Sequence, residues 1–365
     1  MNMFVKWTLL FILAQAALTV VQFLLRKRKV KPSVRATLIT VKLLLAIAFA
    51  VLPLAGPVQL RPVQPFMIAL YAVLFADAVA DACYCIVCRI KKTERKFSTE
   101  KTVSVVLGIL FFVYGTVNMQ TVVPNYHTLS SSKLTKEHKV IFVSDVHTGS
   151  AQSFSVLEKA AGKMAAEQPD CIILGGDITD DYTSREDMER VYELFGSLDV
   201  PVYYLHGNHD RQKHAEYANG LQYTADELEN AITGNGIILL KDEYVRLDDD
   251  LLLLGREDIS ENGSRKTADE LENPDSGSYL IVADHQPFEF KQNLVTGADL
   301  QLSGHTHAGQ LFPLKLMYRV IGYSYGEFSE GGATLVVSSG EAGWRVPFRT
   351  DAHCNYDVIT LLPEK

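Results

Sequence analysis

Hydrophobic and polar positions follow two regimes along this chain. Before about residue 124 the apolar residues run in long stretches: Phe4–Leu25, Thr37–Leu54, Phe66–Ile90 and Thr102–Val123. Each approaches the ~20 residues needed to cross a bilayer. A soluble core helix seldom stays apolar on all sides for so long. The pattern predicts a four-helix transmembrane module over residues 1–124, then a polar linker at 125–138. Beyond it the apolar runs shorten. Val140–Val143, Cys171–Leu174 and Val202–Leu205 read as buried strands, with helical periodicity over Ser155–Glu167 and Arg185–Leu198 between them. This βαβαβ rhythm predicts an α/β domain. Later strand-like runs (Ile237–Leu240, Leu251–Leu254, Tyr279–Val282, Leu300–Leu302, Thr334–Val337) have fewer helices between them. They predict a second sheet packed on the first, so that 139–365 forms a two-sheet α/β sandwich.

Charge sharpens the division. Residues 1–125 carry a net +11 and the remaining 240 a net −19. The acidic half argues against nucleic acid as a partner, because phosphate backbones bind basic faces. The basic residues also predict orientation. Arg26, Lys27, Arg28, Lys29, Lys31 and Arg35 follow the first span; Arg89, Lys91, Lys92, Arg95, Lys96 and Lys101 follow the third; only Arg61 lies between the second and third. Both basic loops are expected in the cytoplasm, and the domain after Val123 outside. The first stretch also has features of a signal peptide, with Lys6 and Ala14-Gln15-Ala16, but it runs apolar past that triplet into a basic cluster and fits a retained helix better. Lys42, Asp77 and Asp81 fall inside predicted spans. Asp77 and Asp81 share a helix face, and a Lys42–Asp81 tie between helices is expected. Recognition of a lipid or partner is the other reading, since charges inside a membrane are costly. Five cysteines imply no disulfide framework. Cys83, Cys85, Cys88 and Cys171 read as small apolar filler.

The chemistry gathers after the strands. Ser144-Asp145-Val146-His147 follows the first, Gly175-Gly176-Asp177 the second and His206-Gly207-Asn208-His209-Asp210 the third. Asp284-His285 follows the run at 279–282, and Ser303-Gly304-His305-Thr306-His307 the run at 300–302. Loops at strand ends converge into sites in α/β sheets. Five polar strand ends beside a core are costly to leave uncompensated, and a pair of cations resolves that cost. Carboxylate, imidazole and amide donors together suit Mn²⁺, Fe or Zn²⁺. Two such ions can clamp the attacking and leaving oxygens of a phosphoryl transfer.

These five segments, in order, resemble the D-x-H, G-D, G-N-H-D, lone H and G-H-x-H signature of the calcineurin-like metallophosphoesterases. The tail, with Gly340-Glu341-Ala342-Gly343-Trp344, Arg349 and Tyr356–Leu361, resembles the membrane-associated bacterial branch of that family. Ala308 departs from the second glycine usual there. The resemblance implies Asp145, His147 and His307 on one metal, Asn208, His285 and His305 on a second, and Asp177 bridging them. It implies a metal-bridging hydroxide as nucleophile, His209 as proton donor to the leaving oxygen, and Asp210 orienting His209. Asp180 and Asp181 read as solvated helix caps, and Asp284 as a neighbour of the ligand His285. His206 reads as packing or pocket shape. Arg211, Arg345 and Arg349 are candidate phosphate binders, and Trp344, Tyr323 and Tyr325 candidate cleft walls.

The expected activity is cleavage of a phosphodiester, pyrophosphate or phosphomonoester, lipid- or envelope-associated, by a membrane-anchored chain with two divalent metal ions. The alternatives are a cytoplasm-facing pyrophosphohydrolase of the UDP-diacylglucosamine type and a metal-binding scaffold without turnover.

Overall fold

The computed structural model describes residues 32–55, 64–93, 97–149, 151–218, 220–261, 263–344 and 346–364, and the chain divides into two compact units at Thr116/Val117. The expected span Phe4–Leu25 and Arg345 lie outside the described residues. In the first unit the apolar stretches are helices α1 (Pro32–Ala55), α2 (Gln64–Ile90) and α3 (Phe97–Met119). Pro32, with no N–H to leave unsatisfied, starts α1. Among the described residues two helices are long and apolar enough to cross a membrane, over Tyr71–Ile90 and Thr102–Met119, while the apolar part of α1 is the shorter Ala36–Ala48. The count of four membrane helices is therefore not carried by the structure.

The charges expected inside these helices are buried together. Lys42 Nζ donates to Asp77 Oδ2 at 2.6 Å and to Asp81 Oδ2 at 2.7 Å. Ser104 of α3 donates to the other oxygen of Asp77 at 2.7 Å. The tie is thus wider than the expected Lys42–Asp81 pair and joins three helices. The filler reading holds for Cys88 and Cys171, which are buried, but not for Cys83, which is exposed.

The second unit corrects the expected linker. α3 ends at Met119, tightened by Gln120 N–H to Val117 O and Thr121 N–H to Asn118 O. Val122–Ser131 then forms strand β1, paired parallel with the last strand through all ten of its residues. From Tyr126 on its side chains alternate between exposed and buried or half-buried, as an edge strand's do, which reads as polar linker in the sequence. β2 (His138–Val143), α4 (Phe154–Ala166), β3 (Cys171–Gly175), α5 (Arg185–Gly196) and β4 (Val202–Leu205) match the predicted βαβαβ. The chain continues through α6 (Ala225–Gly234), β5 (Ile238–Leu239), β6 (Glu243–Asp248), β7 (Leu251–Gly255), β8 (Tyr279–Ala283) and β9 (Leu300–Ser303). It closes with α7 (Leu314–Ile321), β10 (Gly326–Glu330), β11 (Ala333–Val337) and β12 (Cys354–Pro363).

One sheet has the order β1-β12-β2-β3-β4-β5 and the other β10-β11-β9-β8-β7-β6. Alternation along the strands divides the core. Val140, Phe142, Cys171 and Ile173 face Leu251, Leu253, Ile281 and Leu302 between the sheets. Ile141, Val143, Ile172 and Leu174 face Leu157, Met188, Val191 and Leu228 of the helices. Strands β2, β3 and β4 run parallel, as do β7, β8 and β9. Asp249 and Asp250 form the turn from β6 into β7, and Asp250 accepts from Thr135 N at 2.6 Å and from His138 Nε2 at 2.7 Å.

Candidate metal centre

Every expected ligand sits just beyond the C-terminal end of a parallel strand. Asp145 and His147 follow β2, Asp177 follows β3, Asn208 follows β4, His285 follows β8, and His305 and His307 follow β9. Asp145, His147, Asp177, His305 and His307 all hold positive φ, between 44° and 68°. Left-handed backbone costs a non-glycine residue on the order of 1–3 kcal/mol and concentrates at functional sites. The turns also need glycine for close approach. A Cβ on Gly207 would lie 2.3 Å from Asp177 Oδ1, and one on Gly304 the same distance from Asp145 Oδ2.

Two groups of side chains could each hold a metal ion: Asp145, His147 and His307, and Asp177, His285 and His305. In the first, His147 Nε2 is 3.1 Å from His307 Nε2, which is 3.2 Å from Asp145 Oδ1. In the second, His285 Nε2 is 3.2 Å from Asp177 Oδ2. Asn208 joins it, its Oδ1 2.8 Å from His305 Nδ1. Asp177 lies between the groups, with His147 Nε2 3.9 Å from the same Oδ2.

The donor chemistry fits cations. His285 Nδ1 faces the Gly175 carbonyl at 2.9 Å, where only an N–H can sit. Its Nε2 therefore faces the Asp177 carboxylate, 3.2 Å away, and a positive charge must lie between them. That charge is a proton, which Asp177 holds on the ring against the effect of burial by raising its pKa, or a metal ion in the proton's place. Burial opposes charge on Asp145 and Asp177, yet facing imidazoles, chiefly His307 and His285 respectively, hold both below the ordinary carboxylate range. Burial, followed by the neighbouring His285, pushes His305 down to about 4, so its ring is neutral and able to ligate.

The surrounding groups correct three expectations. The carboxylate at His209 is Asp181, whose Oδ2 is 2.8 Å from Nδ1, not Asp210. Asp210 instead accepts from the backbone of Gly207, Asp177 and Thr179 at 2.6, 2.8 and 2.9 Å, tying the loops after β3 and β4 together. Asp180 and Asp181 are buried, not solvated caps, and Asp180 Oδ2 lies 3.3 Å from His147 Nδ1. The signal that could have found them is their spacing: three and four residues after Asp177, on a turn returning to the site. Burial disfavours the His209 imidazolium, but Asp177 and Asp181 outweigh it and raise its pKa.

Arg349 is no phosphate binder. It is fully buried and donates to the carbonyls of Ser339, Ala342 and Ala352. Arg211 is held by Glu257 through two 3.0 Å bonds and by Glu261 at 2.9 Å, which neutralises it. Trp344 does line the site, its ring stacked 6.4 Å from that of His307 and tilted 38° to that of His209 at 6.0 Å. Asp284 turns away to Arg265 and Asn293. His206 packs on Tyr204. Tyr323 packs on Phe290 and Phe328, and Tyr325 lies under Lys315. None of these four faces the metal groups.

The family profile described as calcineurin-like phosphoesterase matches residues 138–309. The chain is 29% identical over 243 residues to a Helicobacter pylori protein named as a metallophosphoesterase, covering 64% of this chain and 62% of that one. It is 28% identical over 246 residues to a Danio rerio transmembrane protein with a metallophosphoesterase domain, covering 61% and 53%. The chain thus spans somewhat less than two thirds of these relatives. A solved protein of Thermus thermophilus aligns at 14% identity with a TM-score of 0.38, over 56% of this chain and 89% of that one. Residues 138–309, which carry the five motifs on converging strand ends, are thus similar to the calcineurin-like phosphoesterases.

Proposed function

We propose that this chain is a membrane-anchored phosphoesterase whose site takes two divalent cations, Mn²⁺, Fe or Zn²⁺, and cleaves a phosphodiester, pyrophosphate or phosphomonoester carried at the membrane. One observation carries the reading: the Asp177 carboxylate lies between two ligand groups, 3.2 Å from His285 and 3.9 Å from His147. Asp145, His147 and His307 hold the first cation, and Asn208, His285 and His305 the second, with Asp177 between them. Bound there, the cations supply Lewis-acid activation of water and neutralise phosphoryl charge.

The chain's own residues do the rest. Asn208 ligates through its amide oxygen and adds no negative charge, which leaves the site attractive to phosphate. Asp180 fixes the ring of His147 and the Gly175 carbonyl fixes that of His285, as partners behind metal-binding imidazoles do. His209, hydrogen-bonded to Asp181 and with a raised pKa, donates its Nε2 proton to the departing oxygen. Trp344 stacks on His307 and lies tilted beside His209. The basic residues after α2 favour a cytoplasmic loop there and the second unit outside.

The test is hydrolysis of bis-p-nitrophenyl phosphate and p-nitrophenyl phosphate by the full chain in nanodiscs, stripped with chelator and resupplied with single metals. Turnover restored by metal and lost in Asp177→Asn supports the proposal. Bound metal without turnover on either ester overturns it.

A further inference from the structure

Between Asp299 and Glu327 the acidic half of the chain has no carboxylate, only the cations Lys315 and Arg319. Both cations lie on α7, which begins seven residues after the ligand His307. Among its described side chains, the aliphatic ones are exposed. Leu316 is 65% exposed and Val320 85%, one helical turn apart, and Phe312 just before the helix is 41% exposed. Leu316, Arg319 and Val320 share one face. Arg319 is exposed, and Lys315 is half-buried over the Tyr325 ring and beside Asp351. A helix with Leu316, Arg319 and Val320 outward has the composition of one lying in a lipid headgroup layer.

Its root lies beside the point where an apolar span ends. The last residues of α3, Asn118 and Met119, are built into the second unit. Asn118 Nδ2 donates to the Ala352 carbonyl at 3.1 Å, and Ala352 N donates to Gly309 O at 2.7 Å. Phe312 N donates to Thr350 Oγ1 at 3.1 Å. Three residues of chain, 350–352, are all that separates the end of the span from the segment leading into α7. The same segment touches the metal centre, since Gln310 N donates to His307 O at 2.9 Å and Gln310 Nε2 to Trp344 O at 3.1 Å.

We infer that α7 is an interfacial helix that docks the second unit on an anionic lipid surface and opens the metal centre toward lipid headgroups. This rests on the membrane anchoring proposed above and names its partner: anionic phospholipid, met by Lys315 and Arg319, with Phe312, Leu316 and Val320 entering the acyl boundary. A headgroup phosphoester then reaches His307 and Trp344 from the membrane side.

The experiment places a small fluorescent amino acid at Val320 of the full chain in nanodiscs of acyl-brominated lipid, with Val295 as control. Val295 is 64% exposed and precedes β9, at the opposite end of that strand from the site. Quenching is expected at Val320 and not at Val295. It is expected to be stronger in phosphatidylcholine–phosphatidylglycerol discs than in phosphatidylcholine alone, and to drop several-fold in Lys315→Glu/Arg319→Glu. Equal quenching at the two positions in both lipids overturns the inference. So does a Val320 reporter shielded from aqueous iodide but untouched by brominated lipid, because a protein then covers the face. Turnover of bis-p-nitrophenyl phosphate in the same discs reads the metal centre separately. Turnover without quenching at Val320 sinks the docking alone; quenching without turnover supports the docking and sinks the proposed chemistry.

Discussion

In the first unit many large apolar side chains lie outside and three charges lie inside. Ile86, Val87, Val105, Ile109, Leu110, Phe112 and Val113 are exposed, while Lys42, Asp77 and Asp81 are buried. In the second unit the strands are buried along their length and the charges collect at their ends. Both units bury carboxylates, and they compensate them differently. The first does so with its own cation, since Lys42 reaches both aspartates. At the metal centre the protein supplies more acceptors than donors, and His285 Nε2 and His307 Nδ1 are left buried without hydrogen bonds. A closed charge cluster is a structural tie, whereas an open one is a site for an ion.

The largest effect that separates the two lies at His209. His209→Ala is expected to lower bis-p-nitrophenyl phosphate turnover by ~10²–10⁴-fold, the range of general-acid loss. Asp181→Asn acts through His209 and is expected to cost ~10–100-fold, like other partners behind functional imidazoles. The double variant should be no slower than His209→Ala alone, because the pair works as a unit. Multiplying effects in steady-state kinetics would assign Asp181 a separate role.

The next effect reverses the readout. Lys42→Met removes the cation that both buried aspartates bind, and breaking such a cluster costs about 3–5 kcal/mol. Thermal unfolding in nanodiscs should show the loss, and Lys42→Met/Asp77→Asn/Asp81→Asn should recover much of it. Turnover per folded molecule should not change. A triple variant as unstable as the single one would mean that the lysine packs rather than neutralises.

A smaller effect checks the correction at Arg349. Arg349→Lys keeps the charge but loses the fork that holds three carbonyls, so the melting temperature should fall while KM for either ester stays the same. A rise in KM without loss of stability would return Arg349 to the substrate.

How much of this was legible in the sequence depended on the kind of signal. The parallel strands were readable because their apolar runs are continuous and nothing else buries Val140–Val143 or Leu251–Leu254 so completely. The seven candidate ligands were readable because each follows such a strand. Strand β1 was not, since an edge strand half in water alternates polar and apolar residues much as a linker does. Asp181 and Asp210 were misread for a different reason. The resemblance put Asp210 behind His209, but the turn after β4 sends its carboxylate to backbone amides, and the partner arrives from the loop after β3. α7 escaped because its face is one turn of exposed residues, too short to stand out as a period.

Glu341 shows a third way of burying a carboxyl group, and it gives the gentlest test. It is fully buried, neither oxygen has a hydrogen-bond partner, and burial alone pushes its pKa up to about 8. Lys42 compensates Asp77 with a charge, and the metal centre is built for ions; Glu341 keeps its proton instead. The unfolded chain releases that proton above the ordinary glutamate value of 4.5, whereas the folded chain holds it to about 8. Folding therefore binds a proton within that window, and stability falls as pH rises through it by about 1.4 kcal/mol per pH unit from this group. Glu341→Gln cannot ionise. Its advantage in melting temperature over the unsubstituted chain should grow steadily from pH 5 to pH 8, a window that Asp145 and Asp177 do not enter, because their lowered values change stability only below the ordinary aspartate range. An advantage that does not change with pH would mean that Glu341 is ionised in the fold, compensated by a charge as in the first unit.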